Sequence, residues 1–208
     1  NAGYNVDFKF VEFPSMLFED FTYFKDSLKF LAKHNKTGEE MPESMTKKLK
    51  TKRDLMKVFS IRGETPFETY MTGVMFDNMV HQITKIGDLK RKSLGALYNE
   101  LGAKQKIKWI GKDSEAISIL SSLGYLFGGG YETAYSSYVL SMAKAKDAFE
   151  TFIKHGITNP KIGARLKETI LSMGDILYDY ELFKNFKGRN ASLKPLARAF
   201  SKVSMDNS

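Results

Sequence analysis

Apolar residues recur at spacings of three and four along most of the chain, which is the pattern of amphipathic α-helices. The clearest stripe consists of Leu17, Phe21, Phe24, Leu28 and Leu31. It predicts a helix over residues 14–33, with Pro14 in the first turn, where its missing N–H is no loss. Asn35 and Gly38 are typical of the residues that follow a helix.

Similar patterns predict helices over residues 42–60, 66–86, 134–154 and 160–172, and a last one that carries Leu193, Leu196, Phe200 and Val203. Residues 85–112 are predicted to form a loop and a short helix. The one convincing non-helical feature is the glycine run at residues 128–130, and no alternating strand pattern persists. The sequence therefore predicts an all-α protein with a single helical domain over residues 1–208.

The composition is that of a folded domain without cysteine chemistry. Of the 208 residues, 42% are hydrophobic and 13% aromatic, which is enough to bury a sizeable core. The sequence contains no Cys, which excludes disulfides, thiolate zinc sites and a cysteine nucleophile. Its longest uncharged apolar stretches fall short of the roughly 18–20 residues that a membrane-spanning helix needs, so we expect no transmembrane segment.

Positive charge is concentrated in two clusters. The chain has 32 Lys and Arg against 24 Asp and Glu, a formal net charge of +8. One basic cluster lies within residues 47–57 and the other within residues 85–112, where Trp109 and Tyr98 are found. Solvent-exposed helix faces account for such clusters, and contact with RNA or with an anionic lipid surface is the alternative.

Two segments resemble a known enzyme family. The sequence FVEFPS at residues 10–15 is similar to a segment of the thimet oligopeptidase family of zinc metallopeptidases, which includes oligopeptidase A and mitochondrial intermediate peptidase. The sequence GGY at residues 129–131, followed by Tyr135 and Tyr138, resembles the glycine-rich, tyrosine-bearing loop of that family. Weaker similarities in the same order are Asp147-Ala148-Phe149, Asn159-Pro160 and Gly188-Arg189. The resemblance implies the fold of the C-terminal half of the oligopeptidase catalytic domain.

The resemblance also implies site residues. In the family, zinc is held by the two His of a His-Glu-x-x-His helix and by a later Glu, and it places that later Glu at Glu12. It places Tyr131 and Tyr138 at positions that polarise the scissile carbonyl. The His-Glu-x-x-His helix is expected roughly two dozen residues before Glu12, but only eleven residues precede it here. No two of His34, His81 and His155 are four residues apart, as that motif requires.

Two substitutions depart from the family pattern. Lys9 stands where the family carries an Asp that supports the zinc ligands, and a cation there opposes a nearby divalent metal. Counting back four residues from Gly130 leads to Leu126, where we expect the His that stabilises the oxyanion, and Leu126 cannot donate a hydrogen bond.

Each candidate also has an ordinary structural explanation. Glu12 is in a position where the helix dipole favours any first-turn Glu. Tyr131, Tyr135 and Tyr138 are suited to packing at a junction of a loop and a helix, and the three histidines to structural contacts. The glycine run resembles a phosphate-binding loop only superficially, because no Gly-Lys-Ser/Thr sequence ends it.

The departures favour a catalytically inactive relative of the oligopeptidases. We expect a structural or accessory subunit of a larger assembly, with no catalytic residues and with Glu12, Tyr131 and Tyr138 as vestiges. No cofactor is expected unless a partner chain supplies histidines for zinc. A mitochondrial location is expected from the family and from the start at Asn1, which is consistent with removal of a presequence. The alternatives are one part of an active zinc oligopeptidase and an RNA-contacting scaffold protein.

Overall fold

The structure, a computed structural model, describes residues 6–56, 67–85, 87, 93–104 and 124–201. Over these residues it is helical, and the only β-type pairing is an isolated antiparallel bridge between Lys33 and Glu40. The prediction of an all-α fold is confirmed.

The described residues form ten α-helices. They are α1 (Phe8–Val11), α2 (Phe13–Phe21), α3 (Lys25–Leu31), α4 (Glu43–Met56), α5 (Phe67–Val80), α6 (Leu94–Lys104), α7 (Ser136–His155), α8 (Pro160–Leu166), α9 (Asp179–Lys187) and α10 (Lys194–Ser201). A 3₁₀ turn spans Gly124–Phe127, and a π-helical turn at Lys167–Leu171 extends α8. The described helices therefore agree with the predicted order.

The prediction of one continuous helix over residues 14–33 is wrong. The chain leaves helical geometry between α2 and α3, where the amides of Thr22, Tyr23 and Phe24 bond to carbonyls three residues back. Phe24 is extended, with φ −107° and ψ 132°, and its ring packs 5.1 Å from that of Phe149. Phe21 packs against the same ring, so the apolar stripe stays continuous although the backbone does not.

The pattern analysis missed helix α9. Its apolar side chains Leu182, Phe183 and Phe186 are buried, and it ends at Gly188, whose φ of 79° lies in the left-handed region that favours glycine. Acidic residues in the first turn and lysines in the last turn were available as signals. Helix α9 has only nine residues, so its apolar pattern repeats too few times to be recognised in the sequence.

The contacts divide the chain into two compact units. The first comprises residues 1–59 and 140–208, and the second comprises residues 60–139. The buried apolar residues of the first unit come from α1, α2, α7, α8 with its π-turn, and α9. Those of the second unit come from α5, α6, the 3₁₀ turn and Tyr135. The prediction of a single domain over residues 1–208 stays a prediction.

Within the described residues, no helix is both long enough and apolar enough to cross a membrane.

Candidate functional site

Glu12 lies at the junction of α1 and α2, where it is the N-cap residue of α2. Its carboxylate Oε2 accepts a hydrogen bond of 2.7 Å from Ser15 Oγ, and its carbonyl accepts a second bond of 3.0 Å from the same hydroxyl. Pro14 follows in the first turn of α2. The Glu12 side chain thus lies at the positive end of the α2 dipole, with the Ser15 hydroxyl as its hydrogen-bond donor.

Aromatic packing holds this junction in the first unit. The rings of Phe10 and Phe13, on either side of Glu12, stack with centroids 4.6 Å apart, and both side chains are buried. Phe13 also meets the edge of Phe183 at 6.4 Å. The backbone that carries Glu12 is therefore fixed by buried contacts on both sides of it.

Lys9 forms an ion pair with Asp7. Its ammonium lies 3.5 Å from Asp7 Oδ2, and its amide donates to Asp7 Oδ1 at 2.9 Å. The carbonyl of Lys9 accepts a 3.2 Å hydrogen bond from Lys144 Nζ, which also pairs with Asp179. The expectation that Lys9 opposes a metal at Glu12 stays a prediction.

The three histidines lie in separate local contacts. His34 Nδ1 is 3.2 Å from the Thr37 amide, in the turn that follows α3. His81 Nδ1 is 2.9 Å from Asp77 Oδ1, and His155 is exposed in the last turn of α7. In the part of the chain that the structure describes, no three His, Asp or Glu residues group so as to hold a metal ion. The described donors therefore do not form a zinc site by themselves.

Residues 128–138, here called the tyrosine loop, connect the 3₁₀ turn to α7 in the second unit. Gly129 and Gly130 have φ values of 97° and 90°, which residues with a side chain rarely adopt. The rings of Tyr131 and Tyr138 lie nearly parallel, with centroids 6.0 Å apart. Both are partly buried, whereas Tyr135 is buried and contacts Tyr138 at 5.4 Å. The structure thus brings the two predicted site tyrosines together.

A buried carboxylate that the sequence analysis did not single out holds this loop. Asp77, in α5, is fully buried, and its two oxygens accept the amides of Thr133 and Tyr135 at 3.0 Å each. An acidic residue within an apolar helical segment was the only available signal in the sequence. Leu126, the other predicted position in this region, is fully buried in the apolar core of the second unit.

A second buried carboxylate connects two of the segments that carry the weaker family similarities, Asp147-Ala148-Phe149 and Gly188-Arg189. Asp147 in α7 is fully buried and accepts two hydrogen bonds of 2.7 Å from Arg189 and one of 2.8 Å from the Ser192 amide. Lys187 Nζ lies 3.2 Å from Asp147 Oδ1.

The Asp147 cluster shifts the pKa values of its members. Burial by itself raises the pKa of Asp147, but the hydrogen bonds from Arg189 and Ser192 and the charge of Lys187 together lower it below its ordinary value. The hydrogen bond to Asp147 raises the pKa of Arg189. Asp147 and Arg189 therefore form an ion pair at neutral pH, which ties the segment after α9 to α7.

The basic clusters are described only in part. Lys47, Lys48, Lys50 and Lys52 are exposed on α4, and Lys85 and Lys104 are exposed in the second cluster. Trp109 and the other basic residues of the second cluster lie outside the described residues. Tyr98 is fully buried and packs edge-on against Phe76, so it does not present a face for stacking on a base. Contact with RNA or an anionic lipid surface stays a prediction.

Comparison with known proteins relates the chain to one family. Residues 1–202 match Peptidase family M3. Organellar oligopeptidase A, chloroplastic/mitochondrial, of Arabidopsis thaliana is 31% identical over 200 residues, which cover 93% of this chain and 24% of that protein. Oligopeptidase A of Haemophilus influenzae is 30% identical over 95% of this chain and 28% of its own length. Saccharolysin of Saccharomyces cerevisiae is 29% identical over 92% of this chain and 25% of its own length. The chain thus spans about a quarter of each of these relatives.

Proposed function

The chain belongs to peptidase family M3, and from this membership we propose that it supplies one part of a peptide-binding and peptide-cleaving site. The residues proposed to contribute are Glu12 in the first unit and, separately, Tyr131 and Tyr138 of the tyrosine loop in the second unit. The remaining zinc ligands then come from polypeptide other than the described residues.

The observation that carries this proposal is the pairing of Tyr131 and Tyr138. Their rings stack at 6.0 Å, and each is only partly buried. A tyrosine hydroxyl can donate a hydrogen bond. Two neighbouring tyrosines suit a peptide carbonyl, whose oxygen gains negative charge when it is attacked.

The proposed role of Glu12 is that of one zinc ligand. Because the described donors do not complete a zinc site, we derive no catalytic step through the metal. What supports the role is local: the carboxylate accepts a hydrogen bond from Ser15 and is carried on a backbone held by buried aromatic rings. A metal ligand placed on a rigid junction has little conformational freedom to lose on binding.

The test uses the native protein that contains this chain. Its zinc content and its cleavage of a mixture of fluorogenic oligopeptides are measured for the wild type and for Tyr138→Phe and Glu12→Gln. We expect hydrolysis by the wild type, a loss of roughly 100-fold to 1,000-fold in kcat for Tyr138→Phe, and loss of zinc for Glu12→Gln. Tyr178→Phe is the matched control, because Tyr178 is 71% exposed and outside both parts of the site.

A catalytically inactive protein that serves as a subunit of a larger assembly is the second candidate. Lys9 favours it, since the family resemblance implies an Asp at this position, and a cation three residues before Glu12 opposes a nearby divalent metal. This candidate predicts a native protein without zinc and without peptidase activity, which co-purifies with other subunits in fixed ratio. Zinc bound through Glu12, together with peptide cleavage, rejects it.

A mitochondrial location is proposed as well. One relative is named as organellar, chloroplastic/mitochondrial, and another is named as a probable cytosolic oligopeptidase A, so the names alone do not choose between compartments. Fluorescence microscopy of the full-length gene product, tagged at its C-terminus, with a mitochondrial marker tests the proposal. Diffuse cytosolic signal contradicts it.

A further inference from the structure

Asp77 is an unusual residue to bury in an apolar helix, because a carboxylate loses its hydration there and must regain it from protein donors. Its side chain has no exposed surface. Both oxygens accept main-chain amides of the tyrosine loop: Oδ1 that of Thr133 and Oδ2 that of Tyr135. These partners lie 56 and 58 residues away in the sequence. The buried Asp77 carboxylate therefore finds its hydrogen-bond donors in the backbone of a loop that is distant in the sequence.

The loop conformation that Asp77 holds is one that the local sequence disfavours. Thr133 has a φ of 64°, in the left-handed region, where a β-branched side chain clashes with its own backbone. Thr133 is the only non-glycine residue with positive φ among those described. Hydrogen bonds from main-chain amides to a carboxylate are among the strong ones in proteins, so Asp77 opposes the tendency of Thr133 to leave this conformation.

Two neighbours along the same side of α5 complete the arrangement. Four residues after Asp77, His81 places Nδ1 2.9 Å from Asp77 Oδ1, and the His81 side chain is 23% exposed. Four residues before Asp77, Gly73 lies under the ring of Tyr135. A Cβ on Gly73 would lie 2.4 Å from Tyr135 Cε1, which is closer than atoms can approach. The absence of a side chain at Gly73 therefore lets Tyr135 rest on the helix.

These contacts hold two positions, Thr133 and Tyr135, within the segment that separates Tyr131 from Tyr138. The carboxylate of Asp77 holds the amides of Thr133 and Tyr135, and the ring of Tyr135 contacts that of Tyr138 at 5.4 Å. The Tyr131 carbonyl accepts the Ala134 amide at 2.9 Å within the same turn. A change at Asp77 is thereby transmitted to both tyrosines that stack on one another.

We propose that Asp77 is a positioning residue for the tyrosine loop. Together with Gly73 and His81, it holds Thr133 in its disfavoured conformation and so sets the relative placement of the Tyr131 and Tyr138 rings. Asp77 acts through the loop backbone and contacts no substrate. The consequence for catalysis rests on the proposed function, whereas the consequence for the loop conformation does not.

The first experiment follows the loop without using activity. 3-Fluorotyrosine is introduced at position 131 of the native protein, and its ¹⁹F resonance is recorded for the wild type and for Asp77→Asn. An Asn side chain keeps the shape but turns an NH₂ donor toward one of the two amides, so one hydrogen bond is lost. We expect the Tyr131 resonance to shift and broaden. Asn78→Ala is the matched control, since Asn78 is the exposed neighbour on the same helix and its side chain donates to the Val74 carbonyl of that helix.

A rescue variant separates positioning from general loss of stability. Asn adopts positive φ more readily than Thr. Thr133→Asn therefore lowers the free-energy cost of the loop conformation that the Asp77 hydrogen bonds maintain. We expect Thr133→Asn in the Asp77→Asn background to return the ¹⁹F resonance toward its wild-type position. A structural defect in the core of the second unit would not be repaired by a change in an exposed loop residue. An unrepaired resonance therefore overturns the proposal.

Hydrogen exchange of the unmodified protein provides a test that needs no variant. The amides of Thr133 and Tyr135 are expected to exchange about tenfold or more slowly than an amide without such a bond. If Asp77→Asn does not fold, the proposal is tested by this exchange measurement and by the Tyr131 resonance of the Gly73→Ala variant, in which the Tyr135 ring is displaced. Unslowed exchange, or an unchanged Tyr131 resonance in the folded variant, overturns the proposal.

Steady-state kinetics connect the loop to the proposed function. For an active protein, we expect Asp77→Asn to lower kcat by about tenfold to 100-fold with a smaller change in KM, because misplaced tyrosines affect the transition state more than ground-state binding. A native protein with no peptidase activity rejects the proposed function and leaves the loop experiments intact. An active protein with an altered loop but an unchanged kcat overturns the link between the two.

Discussion

The guanidinium of Arg189 and the carboxylate of Asp147 face each other through two hydrogen bonds of 2.7 Å, from Nη1 to Oδ2 and from Nη2 to Oδ1. This two-bond geometry matches the planar fork of arginine, and a lysine at position 189 would not reproduce it. The pair joins helix α7 to the segment after α9, across 42 residues of sequence. In the first unit, it holds together two elements that the sequence analysis had connected only by a family resemblance.

Removal of Arg189 tests the strength of this link. Arg189→Met leaves the buried Asp147 carboxylate with Lys187 and the Ser192 amide as its remaining partners. We expect the free energy of unfolding, measured by urea denaturation, to fall by about 2–3 kcal/mol. Arg198→Met is the control, because its pair with Glu150 is largely exposed and such a pair contributes about 1 kcal/mol or less. Equal losses for the two variants would contradict the special role of Asp147.

The stability that Asp147 contributes should depend on pH. Its pKa is lower in the folded protein than its ordinary value of 3.8, so the folded state binds fewer protons than the unfolded state in this range. The stability that Asp147 contributes is therefore complete at pH values above 3.8, the ordinary pKa. It is lost as the pH falls from there through the lower pKa of Asp147 in the folded protein. The difference in unfolding free energy between wild type and Asp147→Asn should stay constant from about pH 7 to pH 5 and shrink below about pH 4. If this difference in unfolding free energy grew as the pH fell, it would contradict a lowered pKa of Asp147 in the folded protein.

Gly73 and Gly163 form a matched pair for testing the packing of Tyr135. An added Cβ at Gly73 meets the Tyr135 ring at 2.4 Å, whereas one at Gly163 meets nothing within 4 Å. We expect Gly73→Ala to destabilise the protein by about 1–3 kcal/mol through overpacking. Gly163→Ala, in the interior of α8, should stabilise it by up to about 1 kcal/mol through helix propensity. Thermal denaturation of both variants distinguishes these opposite signs.

Relief of backbone strain at Thr133 should raise stability. Thr133 holds a φ of 64°, which costs about 1–2 kcal/mol for an ordinary L-residue and less for Asn. Thr133→Asn is therefore expected to raise the free energy of unfolding by about 0.5–1 kcal/mol. Thr46→Asn, in the first turns of α4, is the control, since Thr and Asn have similar helix propensities. A loss of stability for Thr133→Asn larger than that of the control would contradict the assignment of strain.

Local pattern was sufficient for features that depend on neighbours in the sequence. The spacing of four and three in Ala145, Phe149 and Phe152 predicted α7, and the Asn159-Pro160 pair predicted the start of α8, where the Asn159 side chain caps the Lys161 amide. The FVEFPS segment and the GGY sequence identified the family and located Glu12 and the tyrosines. Each of these signals lies within about two turns of helix, where side chains at fixed spacing share one face.

Features that depend on distant partners required the tertiary structure. Periodicity over residues 14–33 could not show that Phe24 would leave the helix to pack on Phe149. Nor could an acidic residue at position 77 or 147 reveal its partners, because a charge within a helical pattern is equally compatible with solvent. The sequence by itself determined the helical class, the family and the identity of the candidate side chains. Only the tertiary structure decided which carboxylates are buried, because burial follows from the donors that the rest of the chain brings to them.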